Sequence, residues 1–342
     1  MPEISALMSV YNGEEYVAET IESILAQTYA DFEFIIVNDG STDGTKEIIE
    51  SFKDRRIKLF NLKKNQGIGL ALNFGLSKVK GRFIAKVDAD DISLPTRFEE
   101  EREYLLQNPE IDLVGSFMEY FPHNDEVKTS QRYKYYKNVI EKELNSVVTW
   151  QDMRKKLYWF CALNHPNMMG KTEVIKKVGY IDASVGEDYH LFYNLNKLGH
   201  KMANIPKVLV KMRVTAGSST AINKNQFFRD VLYRIKREEI RNLFIGNKLN
   251  YIWGSGVMGQ ELLYALTNDG LFKKITGFID SDPSKTGKIV MDKTIYSPKI
   301  LEELKEGQKG KVIIASQPGK YEIAAYLENM DYKHLEDYLV YY

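Results

Sequence analysis

The stretch KVDADDISLP, residues 86–95, places Asp88, Asp90 and Asp91 within four positions directly after an apolar run. Ionised carboxylates repel one another, so such a cluster either turns out to water or gathers around positive charge. If the chain stays extended here, alternate residues share a face, which puts Asp88 and Asp90 on the same side. Two carboxylates on one face suit a hard divalent cation, because Mg²⁺ and Mn²⁺ take oxygen ligands and commonly combine one or two protein carboxylates with phosphate oxygens. A solvated acidic turn is the competing reading. Two further acids follow apolar runs, Asp39 in VNDGSTDGT and Asp280 in GFIDSD.

The elements that must position these acids follow from periodicity. ISALMSVY (4–11) reads as a strand, and residues 14–28 carry Val17, Ile21, Ile24 and Leu25 at helical spacing. FEFIIVND (32–39) is a short continuous apolar run, the pattern of a parallel strand covered on both faces. Ser41 and Thr42 offer caps to the helix that follows. Strands over 57–62 and 82–91 flank a helix over 69–79. Strand–helix alternation implies a doubly wound parallel sheet, whose ligands bind beyond the carboxyl ends of the strands. Asp39 and the Asp88–Asp91 cluster fall at such ends. Further on, 111–121 reads as a strand, 123–162 as polar and mostly helical, 177–200 as a turn then a helix, and 208–214 as a strand.

Residues 225–246 read as an amphipathic linking helix between a first domain (1–224) and a second, smaller α/β domain (247–342). In the second, NYIWGSGVMGQE gives strand, glycine turn and helix, with Gly254, Gly256 and Gly259 in a G-x-G-x-x-G pattern. Asp280 lies at the distance expected of an acid that meets a ribose. That is a Rossmann-like arrangement, and it leaves open NAD or another nucleotide as ligand, or a role in binding or homo-oligomer assembly without cofactor use.

Composition narrows the classes. The 342 residues are 44% hydrophobic, enough for a sizeable core. Acids and bases number 47 each, so no net charge draws the chain to nucleic acid or an anionic surface. Cys161 is the one cysteine, which excludes an internal disulfide and suits a reducing compartment. The start lacks a basic region ahead of a long apolar one, and no run of about 18 apolar residues occurs. The expectation is a soluble cytoplasmic protein without a transmembrane segment.

Four motifs, in order, then carry a resemblance. SVYNGEEYVAETIESILAQTY, FEFIIVNDGSTDGT, NQGIGLALNFGLSKVKGRFIAKVDADD and VGEDYHLFYNLNKLG resemble the opening strand and helix, the nucleotide turn, the segment leading to the metal motif, and the Glu-Asp helix of the family 2 glycosyltransferases. The resemblance spans about residues 3–220. It implies a GT-A fold and an inverting, metal-assisted hexosyltransferase using a nucleotide sugar, UDP-linked, with a glycan or glycoprotein acceptor. It implies that Asp39 contacts the base, bordered by Ser9, Tyr11 and Glu14. Asp88 would lie near the ribose and Asp90 would hold Mn²⁺ or Mg²⁺ at the diphosphate, with Asp91 a further metal candidate. Asp188 would take the acceptor proton, with Glu187 orienting acceptor or neighbour; the pair could instead cap its helix.

Two departures stand out. Leu72 occupies a position where many relatives have arginine, and Thr215 one where many have histidine. Arg213 could still grip phosphate through its planar fork, or serve at the surface or in packing. His165, in ALNHPNMM, reads either as an acceptor-side residue or as a backbone-satisfied core histidine. Two other functions compete with sugar transfer: an NAD-dependent sugar-nucleotide oxidoreductase or epimerase centred on the second domain, and a non-catalytic subunit that binds nucleotide sugar.

Overall fold

The apolar runs at the start of the chain form β1 (Ile4–Val10), β2 (Phe32–Asn38) and β3 (Ile57–Asn61). β2 is buried at every position, as a strand covered on both faces must be. This is a computed structural model, and it describes residues 1–183, 185–215, 227–246, 249–304 and 308–342. Within it the chain divides into two units, Met1–Ser219 and Thr220–Tyr342. The boundaries expected at 224 and 247 lie outside the described residues.

The first unit is built on one eight-stranded sheet. Its remaining strands are β4 (Phe83–Asp88), β5 (Ile92–Ser93), β6 (Leu113–Pro122), β7 (Met169–Lys171) and β8 (Met202–Val214), in the spatial order β3-β2-β1-β4-β7-β6-β8-β5. β3, β2, β1 and β4 are mutually parallel, while β7 and β5 run antiparallel to their neighbours. Order reverses between β1 and β4, the place where open α/β sheets form a crevice. The core packs Met8, Phe34, Ile36, Phe83 and Val114 of the sheet against Val17, Ile21 and Ile24 of one helix and Phe98 and Leu105 of another. Each of these side chains is under 5% exposed, so the sheet that carries the acid tips has little freedom to shift.

Two expectations change. The fourth strand stops at Asp88, and Ala89 and Asp90 form a turn, so alternation along an extended chain does not govern Asp90. β8 begins at Met202 rather than at 208, because it pairs with β6 along that strand's whole length. Residues 125–156 form short helices, three of them started by side-chain caps from Asn124, Ser130 and Thr149.

The second unit carries β9 (Asn250–Trp253), β10 (Gly277–Ile279), β11 (Ile289–Val290), β12 (Lys293–Tyr296), β13 (Lys311–Ile314) and β14 (Tyr338–Val340), in the order β11-β12-β10-β9-β13-β14. All pairs but β11–β12 are parallel. The parallel strands therefore lie third, second, first, fourth, fifth across the sheet, the doubly wound order. The helix Leu232–Leu243 packs on this unit: buried Lys236 reaches from it to the Val340 carbonyl at 2.8 Å.

Candidate active site

Strand register sets the site. β1 lies between β2 and β4, with Val10 opposite Asn38 and Ser9 opposite Asp88. The tips of three parallel strands thus deliver Tyr11, Asp39 and Asp88 to one edge of the sheet. Asp88 ends β4, and the turn after it closes with the Asp91 amide donating to the Asp88 carbonyl at 3.4 Å. That turn, rather than a pleat, gathers the acids: one carboxylate oxygen from each of Asp88, Asp90 and Asp91 lies within 4.8 Å of the others. Among the described residues this is the one group of three metal-ligating side chains so closely placed.

The turn is held from outside. The Thr20 hydroxyl donates to the Asp91 carbonyl at 2.9 Å. The Arg213 amide donates to Asp91 Oδ1 at 2.8 Å, and Arg213 Nε donates to the Asp90 carbonyl at 3.0 Å. The Arg213 guanidinium also pairs with Glu19 and lies over the Tyr16 and Phe121 rings, 4.7 and 4.5 Å from their centroids. Its donors are therefore directed at the protein in this structure. Thr215 offers its carbonyl to Arg132 at 3.1 Å, and Leu72 is fully buried in the core.

Electrostatics divides the three acids. The surrounding protein disfavours charge on Asp88, but the Lys86 ammonium, bonded to Asp88 Oδ1, outweighs this and holds that carboxyl below its usual range. Burial and the Asp88 charge push Asp90 up to about 6. Burial, then Asp90 and Asp88, raise Asp91 well above the ordinary range. The cluster is short of positive charge, and its donors are hard oxygens, so the residues present fit Mg²⁺ or Mn²⁺.

The second pair of acids opens the helix Glu187–Lys197. Gly186 enters that helix at φ 78°, a left-handed conformation that glycine adopts without penalty. Asp188 Oδ1 accepts from the Tyr189 amide at 2.6 Å, and the Cys161 thiol lies 3.7 Å from Asp188 Oδ2. Burial raises the Asp188 carboxyl, and burial together with Asp188 lifts Glu187 to about 8. The Asp88 charge contributes to both shifts, which puts the strand tip and the helix start in one electrostatic neighbourhood. His165 stands beside them. Its Nε2 is 2.9 Å from the Tyr180 hydroxyl and its Nδ1 is 3.8 Å from Glu187 Oε1. Burial, then Lys86, lowers its pKa to about 3, so the ring is neutral. The hydrogen bond of its Nε2 thus goes to a side chain rather than to backbone.

On the other flank, Asp39 is 3% exposed and accepts from the Gln66 and Gly67 amides, both at 2.9 Å. Glu14 Oε2 accepts from the Gly44 amide at 2.7 Å. Both carboxylates fasten loops at the crevice rim, while Tyr11 is 48% exposed there. Sequence reasoning passed over Lys86, although a charge inside FIAKVD is a visible signal. It also passed over Tyr180 and the contact of Cys161 with Asp188, for which spacing offers no sign.

In the second unit Gly254 has φ 118°, and a Cβ on it would meet the Ala315 carbonyl oxygen at 2.4 Å. A Cβ on Gly259 would stand 1.9 Å from the Gly254 oxygen, whereas one on Gly256 would meet nothing within 4 Å. Asp280 Oδ2 accepts from the Ser255 amide at 3.1 Å, from the Ser255 hydroxyl and from Lys285 at 3.0 Å, and Oδ1 accepts from the Asp282 amide at 3.0 Å. Its oxygens are thus engaged within the unit.

The model of glycosyl transferase family 2 matches residues 5–179, more than half of the chain. The chain belongs to this family. It is a glycosyltransferase using a nucleotide-sugar donor, and its first unit has the GT-A fold. The O-antigen biosynthesis glycosyltransferase WbnJ of Escherichia coli is 30% identical to it over 73% of this chain and 94% of WbnJ. The structure of Staphylococcus aureus TarS 1–349 with UDP-GlcNAc matches at TM-score 0.54 and 19% identity, covering 80% of this chain and 74% of that one. For the same TarS segment bound to UDP the shares are 70% and 65%. The mannosyltransferase PcManGT of Pyrobaculum calidifontis, in complex with GDP-Man and Mn²⁺, matches at TM-score 0.53 and 15% identity over 97% of this chain and 81% of its own.

Proposed function

We propose that this glycosyltransferase moves a hexosyl group from a UDP-sugar to a hydroxyl of a surface polysaccharide or glycoprotein, with inversion at the anomeric carbon and with help from Mn²⁺ or Mg²⁺. The observation that carries the reading is the pairing of a cation-hungry acid tip with a separate buried acid pair that feels the charge of that tip. WbnJ acts in O-antigen biosynthesis, TarS binds UDP-GlcNAc and PcManGT binds GDP-Man with Mn²⁺, which supports the donor, the metal and the polysaccharide setting.

Asp90, with Asp88 and Asp91, would hold the cation. A divalent ion there would offset the charge that grows on the departing diphosphate. The residues of the chain do the rest. Asp39 and Glu14 fix the loops that, with Ser9 and Tyr11, shape the seat of the base. Arg213 holds the acid turn rather than reaching for phosphate. Asp188 accepts the acceptor's hydroxyl proton as its oxygen bonds to the anomeric carbon and the bond to the diphosphate oxygen breaks. One displacement with one base inverts the centre. Burial and the neighbouring Asp188 raise the Glu187 carboxyl, which favours its protonated form beside the base. The second unit takes a binding or assembly role, since Asp280 is bonded internally. Among the described residues no helix is long and apolar enough to cross a membrane.

The test is a donor-release screen across UDP- and GDP-sugars with and without Mn²⁺. Release of UDP that needs Mn²⁺ and a sugar acceptor is the expected result. No nucleotide release from any sugar donor would overturn the reading.

A further inference from the structure

The even count of 47 acids and 47 bases conceals a local imbalance. Residues 53–82 hold nine of the bases and one acid, Asp54, and the rest of the chain carries the compensating excess of acids. Asp54 is engaged by Arg56, through Nε at 3.0 Å and Nη2 at 2.8 Å. Lys53, Arg55, Lys58, Lys63, Lys64 and Lys80 are exposed. Among the described residues none of these six pairs with a carboxylate; Lys53 and Lys58 donate to the Glu50 and Arg55 carbonyls, at 2.8 and 3.1 Å.

The fold collects the six along one edge. β3 is the edge strand of the eight-stranded sheet. Lys53 and Arg55 lie just before it, Lys58 on it, and Lys63 and Lys64 just after it. Lys80 adjoins β2, since its amide donates to Glu33 Oε1 at 2.9 Å. Lys53, Arg55, Lys58 and Lys80 line a single groove of about 970 Å³. Of the acids on that groove, Asp54 is bonded to Arg56, Glu33 is buried and bonded to the Ser5 hydroxyl at 2.7 Å, and Asp31 is exposed. At the other end of β3, Lys64 packs on Gly40, on which a Cβ would meet the Lys64 carbonyl carbon at 2.5 Å. Gly40 follows Asp39, so the basic strip runs from the amino end of the sheet to the crevice rim. A charge on an edge strand keeps it from pairing with another sheet. Five of these six charges lie off the strand and need another reason.

We propose that this edge is a docking surface for an anionic lipid bilayer, met through the headgroup phosphates without insertion. Side-chain chemistry selects that partner. Five of the six are lysines, compact point charges that suit a diffuse layer of negative headgroups, whereas reading of base edges favours the planar fork of arginine. A single-stranded nucleic acid also needs aromatic faces to stack on. The rings beside β3, Phe60 and Phe74, are half-buried and lie under the Lys78 ammonium, 5.7 and 4.9 Å from their centroids. Docking along β3 places the crevice rim beside the bilayer.

The experiment is co-sedimentation of the full chain with vesicles of phosphatidylcholine alone and of phosphatidylcholine mixed with phosphatidylglycerol. The chain pellets with the anionic vesicles and stays in solution with the neutral ones. Salt at about 1 M, where the screening length falls to about 3 Å, releases it. Lys53→Gln, Arg55→Gln and Lys58→Gln combined weaken binding about 100-fold, at about fivefold per charge removed. Lys273→Gln, Lys274→Gln and Lys299→Gln combined, at exposed lysines of the second unit, remove the same net charge and leave binding within about threefold. Thermal unfolding checks that both variants fold. If the first does not, Arg55→Gln and Lys58→Gln singly should each cost about fivefold.

Equal binding to neutral and anionic vesicles would overturn the proposal, and so would equal losses in the two triple variants. No binding to anionic vesicles overturns it too. If a single-stranded oligonucleotide then binds instead, and the edge variant loses it, the edge is a nucleic-acid surface.

Discussion

β4 in the first unit and β10 in the second are built alike: a short buried parallel strand, an aspartate just at or beyond its end, and a neighbouring acid two residues on. Both strand-end aspartates, Asp88 and Asp280, are held below the usual range with a lysine beside them, but the acids that follow Asp88 go the other way. Asp280 accepts from two backbone amides, a hydroxyl and a lysine, and although burial opposes its charge, these bonds hold its carboxyl below the usual range. Asp90 and Asp91 have each other and Asp88 for company, and their carboxyls are raised. Acids crowded beyond a strand end with few donors suit a cation, whereas an acid on which several donors converge is a structural anchor. The sequence pattern alone does not separate the two.

The sharpest break in the comparison is catalytic. Asp188→Asn should lower kcat by about 10²- to 10⁴-fold, the usual worth of a general base. Donor affinity should stay within about threefold, and a steady-state assay beside calorimetry reads both. Wild-type turnover in this variant would remove Asp188 from the base's role. Next, Asp90→Ala should abolish the dependence of donor binding on Mn²⁺, seen as a flat titration where the wild type saturates.

Stability should separate the tips by sign. Without metal, Asp90→Asn removes a crowded charge and should raise the unfolding temperature of the first unit by roughly 2–4 °C. Asp280→Asn strands the donors that now converge on it and should destabilise the second unit by about 1–3 kcal/mol. Differential scanning calorimetry with and without Mn²⁺ checks both, and the same sign for the two variants would erase the contrast.

The smallest effect concerns acid. Asp337 sits between Lys309 and Lys311, each at 2.8 Å, and despite burial these lower its carboxyl to about 2. Its folded pKa is below its unfolded one. The stabilisation is therefore present above about pH 4 and is lost as pH falls toward 2, by roughly 1–2 kcal/mol given its partly exposed partners. Denaturant midpoints of wild type and Asp337→Asn should converge across that window.

Much of the architecture was legible because burial leaves a mark in sequence. The continuous run at 32–39 announced a two-sided strand, and the spacing of Val17, Ile21 and Ile24 announced the helix that covers it. The site was legible as a set of acids but not as a geometry. Pleat alternation put Asp88 and Asp90 together for a reason that fails beyond Asp88, where a turn takes over. The partners that define the chemistry lie far apart in the chain. Arg213 reaches Asp90 across 123 positions, and His165 meets Tyr180 through a side-chain contact that no period predicts. Residue type left Arg213 open to a phosphate grip or to packing; the contact of its guanidinium with Tyr16 and Phe121 is one that no spacing predicts.

Lys86 has a consequence for the order of events in the life of the enzyme. A strand whose end crowds three carboxylates would resist closure until an ion arrived, were there no ammonium beneath it. With its own counterion installed from the moment β4 pairs with β1, the tip can assemble in the absence of metal. On the metal-assisted reading proposed above, metallation would then be a late and reversible event, and activity would follow the supply of free divalent cation at the pace of ion exchange rather than of refolding.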